Sequence, residues 1–314
     1  IDDPSAYFKV QLYTGNGSGG HAITFDDTDT NMQPNLVWIK TRSNSSNHQM
    51  HNSLTSEEYH YLRPNATTAE ITSNSDALTS FNSDGFTIGS DGVINENTYT
   101  YVAWCWKESA TAGFDIVTYT GTGSAKTESH SLSAVPEFIA VKTRSETGHW
   151  RVYHGSNTSA PETDALILNE TDATYDWDTY WNDTAPTSSV FSVGTHDQTN
   201  KNTVTYFAYL WRSVQGFSKF GTYTGNGNAD GVFVYTGFRP AFVLCKKSSG
   251  TGNWNITDTK RNTGNPHGKQ IETNSNGAEF DNVRLDILSN GFKHRATGSD
   301  LNGSGTDYIY MAFA

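Results

Sequence analysis

The sequence predicts an all-β protein: three tandem antiparallel β-sandwich repeats, of jelly-roll or immunoglobulin-like build, over residues 1–109, 110–214 and 215–314. Three observations carry this reading. A Tyr-Thr-Gly-x-Gly string occurs at Tyr13–Gly17, Tyr119–Gly123 and Tyr223–Gly227. Each copy follows an apolar-rich run and precedes small polar residues, as a strand entering a tight turn does. The copies start 106 and 104 residues apart, a usual spacing for small sandwich domains. Finally, 35% of residues are apolar and 17% charged, yet 13% are aromatic, which points to short strands with polar loops around a bulky core rather than to disorder.

Each repeat opens on a strand: Tyr7–Tyr13, Phe114–Tyr119 and Phe217–Tyr223, the first alternating apolar and polar residues. After the turn, Pro34, Pro136 and Pro240 each precede an apolar run that closes on Lys40, Lys142 or Lys246. Proline fixes φ and has no N–H, so it suits the first position of a strand. Trp150 and Trp254 align in the next segment, where the first copy reads Asn47-His48-Gln49-Met50 and lacks the aromatic residue. Asp84-Gly85 and Asn290-Gly291 between apolar residues predict type I′ hairpins, whose two central residues need positive φ. The second copy keeps the strand, Ser188–Gly194, without the turn dipeptide.

Each repeat closes on an aromatic strand: Tyr99–Trp106, Tyr206–Trp211 and Tyr308–Phe313. Large residues on both faces predict strands buried on both sides or lying at a domain contact. The connectors, 107–113 and 213–216, are too short for domains to swing independently, so neighbouring repeats pack together. A rod and a pseudo-threefold cluster both satisfy that requirement.

A net charge of −12 without a dense basic stretch opposes nucleic-acid binding, and no apolar run is long enough to insert into a membrane as a helix. The first residue, Ile1, and the close on a strand read as an excerpt of a longer polypeptide. Cys105 and Cys245 fall on different strands of different repeats, which predicts free, buried thiols.

The most unusual local composition is Tyr175-Asp176-Trp177-Asp178-Thr179-Tyr180-Trp181-Asn182-Asp183. Rings stack on the C–H face of a pyranose while carboxylates and amides take its hydroxyls, so Tyr175, Trp177, Asp178, Tyr180 and Trp181 form the candidate glycan-binding set. A strand with inward rings and outward carboxylates gives the same pattern. Asp176 and Asp178 could share a face, but glycoside hydrolysis needs a matching acid from a second element, and the sequence names none. No catalytic residue, cofactor or metal site is therefore expected. Asp27, Asp29 and Asn31 have calcium-loop spacing, but Met32 and Trp38 stand where an EF-hand needs Gly and Glu. His48, His51 and His60 lack companion ligands and read as exposed loop histidines. Gly15–Gly20 is turn chemistry, since no helix follows to complete a phosphate loop.

Taken together, Tyr-Thr-Gly-Asn-Gly, Pro-Asn-Leu-Val-Trp-Ile-Lys, Tyr-Val-Ala-Trp-Cys-Trp-Lys, Thr-Gly-Asn-Trp-Asn-Ile and Tyr-Ile-Tyr-Met-Ala-Phe-Ala resemble an uncharacterised repeat domain of predicted tail-fibre and other virion surface proteins of marine bacteriophages. The resemblance covers nearly all of the chain. It implies a non-enzymatic structural or adhesive role on the extracellular surface of a virion, with other virion proteins and host surface glycan as partners. It carries no catalytic residues. An architectural spacer or capsid-decorating protein is the alternative, and a polysaccharide depolymerase the third possibility. Homotrimers are typical of such fibres and would bury apolar surface that single domains leave exposed.

Overall fold

Strands form where the sequence alternates or runs apolar, and the computed structural model, which describes residues 1–26 and 30–314, is all-β with several antiparallel sheets. The first segment contributes β1 (Phe8–Thr14), β2 (His21–Ile23), β3 (Leu36–Thr41), β4 (Gln49–Asn52), β5 (Leu78–Asn82), β6 (Gly85–Ile88) and β7 (Thr100–Trp106). The second contributes β8 (Phe114–Thr120), β9 (Lys126–Ser129), β10 (Phe138–Thr143), β11 (Arg151–His154), β12 (Asp164–Ile167), β13 (Tyr175–Asp176), β14 (Val190–Val193) and β15 (Thr205–Trp211). The third contributes β16 (Ser218–Thr224), β17 (Phe233–Tyr235), β18 (Phe242–Lys247), β19 (Trp254–Asp258), β20 (His267–Glu272), β21 (Phe280–Leu288), β22 (Gly291–His294) and β23 (Asp307–Phe313).

One strand order recurs three times: β1-β7-β3-β4, β8-β15-β10-β11 and β16-β23-β18-β19. Opposite these lie the smaller sheets β2-β6-β5 and β9-β14 in the first two segments. The third segment departs from that pattern. Its nine-residue β21 pairs with both β20 and β22, so all eight strands join one sheet that nearly closes on itself.

The repeated turn has a repeated physical cause. A Cβ on Gly15, Gly121 or Gly225 would lie 2.1–2.3 Å from a carbonyl oxygen of Glu96, Lys201 or Gly303, so these glycines permit close backbone approach. Gly17, Gly123 and Gly227 instead supply positive φ, at 69°, 72° and 65°. The preceding Tyr13, Tyr119 and Tyr223 stack on Tyr101, Tyr206 and Tyr308 at 4.9–5.0 Å.

The hairpins at Gly85 and Gly291 form, but one residue out of the expected register. The two-residue loops are Ser83-Asp84 and Ser289-Asn290, and neither Asp84 nor Asn290 has positive φ. Each glycine begins the return strand, because a Cβ would meet the Ile23 or Val234 carbonyl oxygen at 2.0 or 2.1 Å. Likewise Pro34, Pro136 and Pro240 stand two residues before β3, β10 and β18 rather than at their first positions.

The closing strands are buried on both faces. Tyr101, Ala103 and Cys105 of β7 face a core private to the first segment, while Val102, Trp104 and Trp106 face one built from all three segments. Tyr206, Ala208 and Leu210 of β15, and Tyr308, Tyr310 and Ala312 of β23, likewise face private cores. Around the shared core, Trp106 meets Trp211, Phe242 and Phe313 edge-on at 5.8–6.1 Å. The void left there is about 20 Å³ and lined by apolar and aromatic side chains.

Matching hydrogen bonds cross all three junctions and close the segments into a ring, which decides against a rod. Trp150 Nε1 donates to Arg63 O at 2.9 Å and Trp254 Nε1 to Ile167 O at 2.8 Å. At the third junction His48 Nε2 lies 3.2 Å from Glu272 O, so the imidazole stands in for the missing tryptophan. Backbone bonds repeat the pattern: Glu70 N to Arg144 O, Thr174 N to Ser248 O and Glu279 N to Arg42 O. Running the other way round the ring, Asn52 bonds Tyr209, His154 bonds Tyr310 O and Trp104 donates to Asp258. Ion pairs Arg144–Glu70 and Arg42–Glu279, 2.9 and 3.0 Å, brace two of the junctions.

Candidate functional site

The candidate glycan segment lies at the edge of the second segment's sheet. Only Tyr175 and Asp176 are strand, paired with Ala165 and Asp164 on β12. Beyond them the chain turns, with Asn182 and Asp183 at φ 56° and 44°. Period-two alternation therefore stops after Asp176, and the turn decides where each ring points.

Trp181 points inward. It is buried, and its indole N–H donates to Asp164 O at 2.9 Å. Tyr180 is buried too, its ring 4.3 Å from His196 and beneath the Arg151 guanidinium at 4.6 Å. Tyr175 is half-buried, with its hydroxyl accepting from Arg151. Burial raises the Tyr180 phenol and lowers the Arg151 guanidinium from their ordinary pKa values. Trp177 is the exception, 48% exposed and braced edge-on by Tyr175 and His196 at 6.3 and 6.1 Å. Asp178 is exposed beside it. The five predicted residues thus come together as one exposed ring and one carboxylate on a buried aromatic and cationic base.

A second carboxylate lies across the strand pair from Asp176. Asp164 stands opposite Asp176, is buried, and accepts a hydrogen bond from Thr158. Burial raises its pKa. It lines a polar groove of about 330 Å³ with Thr174, Ser248 and Asp307. Its place at the start of a four-residue apolar run was the available signal.

The histidines correct the expectation of exposed loop residues. His48 and His51 are fully buried, and burial pulls both down to about 3. His48 accepts from Trp38 Nε1 at 2.9 Å, and His51 lies 3.0 Å from Gln49 Oε1, so both imidazoles are engaged in packing. His60 is nearly buried on the ring edge of Tyr59. Among the described residues no group of three or more His, Cys, Asp or Glu could hold a metal ion. Asp27 and Asp29 of the calcium-like spacing lie outside the described residues. Cys105 and Cys245 are free and buried, and burial pushes both thiols up. No helix among the described residues is long and apolar enough to cross a membrane.

Three asparagines escaped the sequence reading. Asn95, Asn200 and Asn302 are fully buried and clamp the repeated turn, their side-chain oxygens accepting from Asn16, Thr122 and Asn226 N at 2.9–3.1 Å. Their amide groups donate to carbonyl oxygens on both flanks, such as Gly89 and Ser18 for Asn95.

A family model described as "Domain of unknown function (DUF7483)" matches residues 3–314. No curated protein matches the chain.

Proposed function

We propose, for a chain that belongs to the DUF7483 family, a non-enzymatic role as part of a virion surface appendage that contacts host glycan weakly and repeatedly. Three tandem β-sandwich repeats at 1–109, 110–214 and 215–314 would form the scaffold. The virion setting rests on the motif resemblance described above. The observation that carries the glycan reading is Trp177, a large ring held half-exposed by Tyr175 and His196 with Asp178 alongside. A braced indole costs little entropy on stacking against a sugar face.

The shared core favours a second reading, an architectural spacer or capsid-decorating protein. The apolar faces that a homotrimer was expected to bury are covered within one chain, leaving a stiff unit suited to spacing other virion proteins. A glycan array with the full chain and Trp177→Ala separates the two. Signal that drops by about tenfold in the variant supports sugar contact; wild-type signal no higher than the variant's supports the spacer.

A further inference from the structure

We propose that the third segment carries a second sugar-binding site beside Tyr235, one that takes a pyranose bearing a carboxylate; the proposal rests on the glycan-contact reading above. β17 is an edge strand, paired on one side only with β22. Its central Val234 is buried, while Phe233 and Tyr235 point outward, 46% and 63% exposed.

The other segments show that the fold does not need the Tyr235 ring. Val234 sits opposite Phe292 as Ile23 sits opposite Phe86 and Glu128 opposite Phe191. The flanking positions that hold Phe233 and Tyr235 therefore hold Ala22 and Thr24 in the first segment, and Thr127 and Ser129 in the second. The Phe233 ring lies over Gly291, which accounts for it by packing, whereas Tyr235, the more exposed ring at a position where the other segments use Thr24 and Ser129, is explained by a ligand.

Tyr235 also forms one wall of a groove of about 370 Å³, within the range of roughly 300–1,000 Å³ usual for small-molecule sites. The connector between the second and third segments supplies the other wall, with Ser213 and Gln215, and Lys219 of β16 lies alongside. Gln215 and Lys219 are exposed, and Lys219 has no ion-pair partner among the described residues. A phenol ring for the C–H face, an amide for hydroxyls and a lysine for an anion match a hexuronate. The lysine matters more because the chain as a whole is acidic, at −12, and would otherwise repel such a sugar.

Calorimetric titration of the full chain with cellobiouronic acid and with cellobiose tests the site. Wild type should bind the uronate more tightly than the neutral sugar. Tyr235→Ser, which copies the second segment's Ser129, should fold normally and weaken uronate binding by about tenfold. Lys219→Gln should erase the preference for the acid. Uronate binding unchanged by Tyr235→Ser overturns the proposal, as does a change in sedimentation showing that Tyr235 serves contact between copies. No uronate binding, alongside an array signal that depends on Trp177, overturns this site and spares the parent reading; no binding in either assay overturns both.

Discussion

At the scale of single residues, the fold depends on the buried asparagine clamp as much as on the repeated glycines. Asn200 donates to Ser124 O and Gly194 O at 2.7 and 2.6 Å and accepts from Thr122 N at 2.9 Å. Asn200→Ala strips all three bonds, the one to Gly194 O fully buried and the other two partly so. Each orphaned buried group costs about 1–3 kcal/mol, so denaturant unfolding of the full chain should show a loss of about 3 kcal/mol. Asn202→Ala, two residues on and exposed, is the matched control. Equal effects from the two would refute the clamp. The turn glycines and tyrosines were legible because they recur side by side. The asparagine was not, because its partners in the turn lie 76–79 residues away and only folding brings them together.

At the scale of elements, strands were more legible than the turns and connectors that aim them. Alternation placed the opening and closing strands, yet it could not show that Trp181 turns inward while Trp177 turns out, because the strand stops at Asp176 and residues 178–183 form a turn. The link between β7 and β8 held a further surprise. Glu108, on the connector, lies against Asp115 of β8, and burial together with that neighbour pushes its pKa up to about 7 from an ordinary 4.5. The folded state therefore binds more protons than the unfolded state between these values, so Glu108 leaves stability intact below about 4.5 and lowers it as pH rises towards 7. Buried His48, His51 and His294, held at about 3, and His154, at about 4, act in the opposite direction, losing stability as pH falls below 6.5. Comparison with Glu108→Gln separates the two effects. The variant should melt at the same temperature as wild type at pH 4.5 and higher at pH 8, whereas parallel melting curves across that range would show that the pair shares no proton.

At the scale of the molecule, the three segments are held together by a core that none of them owns. In the second segment alone, Phe138, Trp150, Leu166, Phe207 and Trp211 are buried in that shared cluster. Burying one such side chain stabilises by about 1.5–3 kcal/mol. Exposing five forfeits on the order of 10 kcal/mol, comparable with the whole net stability of about 5–15 kcal/mol typical of a domain. The polypeptide 110–214 on its own should therefore expose a dye-binding apolar face and aggregate, even though it keeps a private core around Tyr206 and Phe191. The full chain should unfold in one cooperative transition, because losing any segment breaks two junctions of the ring at once. A monomeric 110–214 polypeptide melting sharply within a few degrees of the full chain would show that each private core suffices. In that case the ring would only hold segments already folded.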